Sequence, residues 1–321
     1  MSVDLLPLSL VIATRNRAPA LRQTLESIAT QSAQPVEVIV VDSSDNSDTR
    51  DLCSHVEIRG LQSTLTWQRA QTRGAAAQRN EGIRLCSQPA IGFIDDDILF
   101  EPECLALLWG ALQSDAKLGG VNAMIVNQRY YPPGLASRLM FSIMAGRIES
   151  SYAGRVLGPA VNLWPEDDTA LPELVPVEWL NLGCTIYRRE ALPDPPFPAH
   201  FTDYSMMEDV SLSLTVGKRW KLANARTARI YHDSQPGSHK SDPAVISEML
   251  LVNRYYVMTE VLGRSRVQDH IKLVLWTVFS DLSLLRSLQG WRALPARLRG
   301  ECRAVGAIWK RSQPWRMAES L

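Results

Sequence analysis

The stretch Ala90-Ile91-Gly92-Phe93-Ile94-Asp95-Asp96-Asp97-Ile98-Leu99-Phe100 decides how this chain is read. Its first part is uncharged and apolar and reads as a buried strand. Three carboxylates in a row close it, and a second apolar triplet follows at once. Like charges side by side at the end of a buried strand cost energy unless a cation sits among them. Hard oxygen ligands favour Mg²⁺ or Mn²⁺, and a metal held this way suits the phosphates of a nucleotide. Taken alone, the triplet is equally well explained as a polar turn that caps a following helix.

The flanking sequence supplies the context. Leu8-Ser9-Leu10-Val11-Ile12-Ala13 reads as a first strand, followed by Thr14-Arg15-Asn16-Arg17. A helix is expected from Pro19 to about Thr30, with Pro19 in the first turn and Leu21, Leu25 and Ile28 at helical spacing. Val36-Glu37-Val38-Ile39-Val40-Val41 is a second strand ending at Asp42-Ser43-Ser44-Asp45, and a helical stretch from Thr72 to Cys86 leads into the strand with the aspartates. In an open α/β sheet, ligands bind outside the carboxyl ends of the strands. Here those ends carry Thr14-Arg15, Asp42 and Asp95 to Asp97.

Composition sets the outer bounds. The 321 residues suffice for one large α/β domain plus an extension. The formal net charge is zero, which implies no nucleic-acid partner. Cys53, Cys86, Cys104, Cys184 and Cys302 are odd in number and show no CxxC spacing, so a reduced compartment is expected. The N-terminus runs into the first strand without a basic segment and apolar signal core, and the expected location is cytoplasmic. The Pro-rich patch Pro193 to Pro198 reads as a surface loop. Gln235 to Pro243 reads as a mobile loop able to fold over a bound ligand.

In order along the chain stand Val11-Ile12-Ala13-Thr14-Arg15-Asn16-Arg17, Val40-Val41-Asp42-Ser43-Ser44-Asp45, Ala77-Gln78-Arg79-Asn80-Glu81-Gly82-Ile83 and Phe93-Ile94-Asp95-Asp96-Asp97. They are followed by Leu182-Gly183-Cys184-Thr185-Ile186-Tyr187-Arg188-Arg189-Glu190, Glu208-Asp209-Val210 and Tyr231-His232. Each segment is weak alone. In this order and spacing they resemble a family 2 glycosyltransferase from about Leu8 to about Tyr256. The resemblance implies the GT-A fold, an α/β Rossmann-like mixed sheet flanked by helices, and inverting transfer from a nucleotide-sugar donor. It implies Asp97 and His232 as ligands of Mn²⁺ or Mg²⁺, with Asp95 and Asp96 in support near the nucleotide. It places Thr14, Arg15, Asn16, Asp42 and Arg79 on the nucleotide-sugar, with Asp42 receiving the base N3–H. The family often has a second acid after that aspartate, where this chain has Ser43. Uracil, thymine and guanine therefore stay open, with UDP ahead of dTDP and GDP.

The same resemblance assigns Gly183 and Cys184 to the acceptor and donor-sugar side. Trp179 just before them reads as a sugar-stacking face or as a core tryptophan. Glu208 and Asp209 form the acidic pair that contains the general base, and Asp209 aligns with it. Acids at a helix start are also explained by the helix dipole. A base is needed because a sugar hydroxyl is a poor nucleophile, and it contributes roughly 10²–10⁴-fold.

The reading divides the chain into a catalytic domain, 1–240, and a helical extension, 241–321. In the extension Ile271, Val274, Leu275, Val278, Leu282 and Leu285 fall on one stripe, interrupted by Lys272, Ser280, Asp281 and Arg286, which argues against a membrane span. From Arg286 to Arg316 eight basic residues stand against one acid, Glu301, with Trp291, Trp309 and Trp315 among them. Such a segment suits an anionic membrane surface at the inner face, or packing on the core or a second subunit. The expected activity is metal-dependent transfer of a sugar to a glycan or lipid-linked acceptor in cell-surface polysaccharide biosynthesis. Two alternatives are a sugar-phosphate nucleotidyltransferase and a non-catalytic nucleotide-sugar-binding protein. The first would favour a glycine-rich loop with a lysine where Thr14-Arg15-Asn16-Arg17 stands. Intact Asp97, Asp209 and His232 argue against the second.

Overall fold

The computed structural model describes residues 3–234 and 242–311. Contacts divide the chain into two compact units. One comprises 1–131, 153–155 and 162–235, and the other 132–152, 156–161 and 236–321. Residues 132–152 and 156–161 thus join the helical unit although they precede residue 240.

The first unit is built on β1 (Asp4–Thr14), α1 (Ala18–Ala29), β2 (Ala33–Asp42), α2 (Asp48–His55), β3 (Thr64–Arg69), α3 (Ala75–Ile83), β4 (Ala90–Asp95), β5 (Ile98–Phe100), α4 (Cys104–Gln113) and β6 (Leu118–Ile125). Further along come the helix α5 (Leu135–Ala145) and the two-residue strands β7 (Val156–Leu157) and β8 (Val161–Asn162). Then follow β9 (Leu174–Pro176), β10 (Cys184–Arg188), α6 (Glu208–Val216) and β11 (Lys221–His232). The main sheet runs β3-β2-β1-β4-β10-β6-β11-β5, with β9 on β11. β3, β2, β1 and β4 are parallel, while β10 runs antiparallel to both β4 and β6, so the sheet is mixed as expected.

The central strands are apolar because helices cover both of their faces. Leu8, Leu10 and Ile12 join Leu21, Leu25 and Ile28 of α1 and Leu105 and Leu108 of α4 in one buried cluster. On the opposite face α3 approaches β1 so closely that a Cβ on Gly82 would lie 2.4 Å from Cγ1 of Val11. That approach fixes the helix carrying Gln78 and Arg79. β3 has no counterpart in the sequence reading: Thr64-Leu65-Thr66-Trp67 is an edge strand with polar residues on alternate positions, a pattern too short to stand out.

The helical unit contains α5 and, after residue 242, α7 (Pro243–Tyr256), α8 (Val267–Leu284) and α9 (Leu288–Arg311). Asp242 caps α7 by accepting the Ala244 N–H at 2.8 Å, and Pro243 opens the helix. Arg297 of α9 donates to Asp281 of α8 at 2.5 Å and to Glu301 at 3.1 Å. Among the described residues no helix is long and apolar enough to cross a membrane. Most of the expected donor-covering loop, Trp315 and Arg316 lie outside the described residues.

Candidate active site

Strand register brings the polar strand ends together. Thr14 pairs with Asp42, and Ala13 with Asp95. The Gly183 carbonyl, just before β10, accepts the Asp95 N–H at 3.2 Å. His232 at the end of β11 stands opposite Ile98, and the Asp97 carbonyl accepts the Asp233 N–H at 2.9 Å. Backbone pairing alone therefore delivers His232 to the aspartate triplet.

The side chains complete the cluster. Nε2 of His232 lies 3.0 Å from Oδ1 of Asp97, and Nη2 of Arg17 lies 3.0 Å from its Oδ2. Asp96 faces the other way. Its Oδ1 takes Nη1 of Arg17 at 2.6 Å, and its Oδ2 accepts the Thr14 hydroxyl at 2.6 Å. Burial pushes Asp96 up to about 6 against the pull of Arg17. Asp95, Asp97 and His232 each offer an atom, all within 4.8 Å of one another. Two carboxylates and an imidazole at this spacing fit a divalent cation such as Mn²⁺.

Arg79 is fully enclosed and ties this cluster to α6. Its Nη2 donates to Asp95 at 2.8 Å and its Nη1 to Glu208 at 2.9 Å. The backbone ahead of α6 is strained. Asp203, Ser205 and Met207 have φ of 54°, 54° and 76°, a conformation that costs a non-glycine residue energy and tends to gather at functional sites. Gly74 with φ 129° lets this loop come close, and Ala75 N–H donates to the Asp203 carbonyl at 3.1 Å. Glu208 is pushed up to about 8 by burial and by Asp209, opposed by Arg79. Burial raises Asp209 to about 6, against a 2.7 Å hydrogen bond from Val210 N–H. Asp209 is the less buried of the two. Glu208 is committed to Arg79, which leaves Asp209 better placed to take a proton.

A second polar group lines the ends of β1 and β2. Asp42 is buried, accepting Ser44 N–H at 2.8 Å and the Trp67 indole N–H at 3.1 Å. Gln78 donates to the carbonyls of Thr14 and Val41 at 3.0 and 2.7 Å and so pins the two strand ends. Asn16, with φ 56°, exchanges two hydrogen bonds with Asp45, and Arg15 adds a third at 3.1 Å. The Asn16 contact, then Arg15, holds the exposed Asp45 carboxyl below the usual range.

The stretch 9–157 matches the family model described as Glycosyl transferase family 2. Over this stretch the chain resembles the family. Among similar curated proteins, the validoxylamine A glucosyltransferase of Streptomyces hygroscopicus subsp. jinggangensis is 37% identical over 98 residues, or 30% of this chain and 23% of that protein. The chain thus spans less than a quarter of the length of that curated relative. Two solved structures share the GT-A architecture. The mannosyltransferase PcManGT from Pyrobaculum calidifontis, in complex with GDP-Man and Mn²⁺, superposes with TM-score 0.51 at 15% identity, covering 95% of this chain and 78% of that one. TarS 1-349 of S. aureus, in complex with UDP-GlcNAc, gives TM-score 0.52 at 16% identity, covering 89% and 78%. Identities this low speak to the fold alone.

Two expected site residues are corrected by the structure. Trp179 is 2% exposed, packs on Trp164 with ring centroids 5.2 Å apart and donates its indole N–H to the Leu163 carbonyl at 2.8 Å. It is a core tryptophan with no face to offer a sugar. The Cys184 side chain is also buried, in the cluster that contains Cys104, because alternation along β10 turns it inward. Gly183 remains at the site through its carbonyl. Residues without an assigned role in the sequence reading are Arg17, Gln78, Trp67 and Tyr204. Tyr204, two-thirds enclosed beside Asp95, Glu208 and Asp97, is pushed up to about 12, mainly by burial. Arg17 and Gln78 had a sequence signal, since they stand inside Thr14-Arg15-Asn16-Arg17 and Ala77-Gln78-Arg79-Asn80.

Proposed function

We propose that this chain transfers a sugar from a nucleotide-diphosphate-sugar donor to a glycan or lipid-linked acceptor, with inversion at the anomeric carbon, in cell-surface polysaccharide biosynthesis. The observation that carries the reading is the Asp97 carboxylate held between His232 and Arg17, with Asp95 in reach of the same point. Asp95, Asp97 and His232 would hold Mn²⁺ or Mg²⁺. When bound, such an ion neutralises charge on a diphosphate leaving group.

The chain's own residues supply the rest. Asp209 removes the proton of the attacking hydroxyl as the new glycosidic bond forms and the bond to the diphosphate breaks. Arg79 fixes Glu208 and Asp95 relative to each other, and so fixes α6 relative to the carboxylate triplet. Arg17 balances Asp96 and Asp97. Thr14, Arg15, Asn16 and Asp42 lie at the strand ends where a nucleotide would rest. UDP leads as donor nucleotide, with dTDP and GDP as alternatives. Complexes of the solved neighbours with UDP-GlcNAc and with GDP-Man and Mn²⁺ support a nucleotide-sugar donor and a divalent ion. The proposed location is the cytoplasmic side, peripheral to an anionic membrane surface.

A thermal-shift panel of UDP, dTDP and GDP with and without Mn²⁺ tests the reading, because a ligand that binds only the folded state raises its melting temperature. A shift that needs both nucleotide and metal is expected. No shift with any of the nucleotides overturns the donor assignment.

A further inference from the structure

We propose that the helical unit carries two lipid-inserting stripes, one on α8 and one on α5, that dock it on an anionic bilayer surface. The inference rests on the membrane reading above and names the face that makes the contact.

On α8, Val267, Ile271, Val274, Leu275, Val278 and Leu282 recur at helical spacing, and all are exposed. The usual arrangement is inverted here, since an amphipathic helix in water turns such a stripe inward. On α5, Leu135, Leu139 and Ile143 do the same, with Leu135 88% exposed. The buried residues of these helices lie on other sides. Phe141 and Met144 of α5 and Leu273 of α8 are covered, the Phe141 and Trp276 rings are 6.1 Å apart, and Lys272 donates to the Met144 carbonyl at 2.9 Å. The pair is thus stapled together while its aliphatic stripes point away. Most of the exposed large apolar side chains among the described residues belong to this unit. Apolar exposure on this scale marks a docking surface.

The chemistry of the stripes selects the occupant. They are wholly aliphatic and offer a protein partner no hydrogen-bonding group, whereas protein interfaces carry about one hydrogen bond per 100–200 Å². Their backbone N–H and C=O groups are satisfied within the helices, as hydrocarbon requires. The same unit is rich in exposed basic residues. Arg138 lies beside Leu139, Arg286 follows α8, and Arg292, Arg299 and Lys310 are exposed on α9 together with Trp291 and Trp309. On α8 the acids are used internally: Asp269 accepts the Arg266 N–H at 3.0 Å, and Asp281 pairs with Arg297. Two copies of this surface would oppose basic residue to basic residue, while anionic headgroups complement it. Among the described residues no helix is long and apolar enough to span, and the geometry fits a surface-lying mode.

Flotation of the full chain with phosphatidylcholine vesicles, with and without phosphatidylglycerol, tests the proposal. We expect binding to the anionic vesicles that weakens with salt. Val274→Ser with Val278→Ser, and separately Leu139→Ser with Ile143→Ser, should each lower partitioning by about tenfold or more, since each removes apolar area from the lipid contact. Melting temperature and UDP affinity should stay unchanged in both. Full binding by either double variant overturns the two-stripe surface while sparing the membrane reading. A fall in melting temperature, or dissociation of an oligomer in sedimentation, also overturns it and assigns the stripes to protein packing. Failure of the unaltered chain to bind anionic vesicles at low salt rejects the membrane reading itself.

Discussion

Arg17 bridges Asp97 and Asp96, with its two terminal nitrogens 3.0 and 2.6 Å from their carboxylates. It is the counter-charge for two acids that are almost wholly buried, so losing it leaves Asp96 with only the neutral Thr14 hydroxyl and Asp97 with His232. Breaking a buried pair by removing one partner costs about 3–5 kcal/mol. Arg17→Ala should lower the melting temperature in chelator, and by more at high pH than at low. Asp96 is already raised to about 6, so its protonated form favours the folded state and that contribution is lost as pH climbs through about 6. Without Arg17 its folded value rises further and the loss deepens. Thermal unfolding at about pH 5 and about pH 8 checks this, and equal destabilisation at both would contradict it.

Asp97→Ala removes a proposed metal ligand and little volume. Nucleotide-diphosphate stabilisation should lose its dependence on Mn²⁺, and His232→Ala should weaken it in the same direction. Unchanged Mn²⁺ dependence in the Asp97 variant would move the metal elsewhere.

Asp209→Asn keeps the shape and removes the proposed proton acceptor. Sugar transfer should fall by at least ~10²-fold with donor affinity within a few-fold. In the unaltered protein the rate should rise as pH passes about 6, because burial holds Asp209 there and only its ionised form accepts a proton. A rate independent of pH across that region would shift the base role to Glu208.

Gly82→Ala tests the packing that aims Arg79. The new Cβ would meet Val11 Cγ1 at 2.4 Å, against a strand buried on both faces. Overpacking of this kind costs about 1–3 kcal/mol. Both the denaturation midpoint and the transfer rate should drop, since α3 carries Arg79 into the ion pairs with Asp95 and Glu208.

The strands β1, β2 and β4 were legible because they are buried on both sides and read as unbroken apolar runs ending in polar residues. The carboxylates were legible because they are clustered, and His232 through the resemblance of Tyr231-His232 to the family's late histidine. Other features were hidden for physical reasons. Trp179 and Cys184 adjoin a glycine at the site, yet strand alternation and the ring of Trp164 draw them into the core, and position in the chain does not reveal side-chain direction. Tyr204 reaches the cluster only through a loop with left-handed residues at Asp203, Ser205 and Met207, none of which is a glycine that would have marked the turn. The α8 stripe was read from spacing, but spacing does not say whether a stripe faces a core or solvent.

The helical unit gathers residues 132–152 and 156–161 from the middle of the chain and everything from 236 onward. The polypeptide therefore crosses between the units several times, and no single cut separates them. A chain stopped at residue 240 would keep α5 but lose Trp276, whose ring lies 6.1 Å from that of Phe141, and Lys272, which donates to the Met144 carbonyl. Neither part can be inherited, swapped or trimmed as a linear cassette. Evolutionary change in one must arise inside a scaffold that already contains the other.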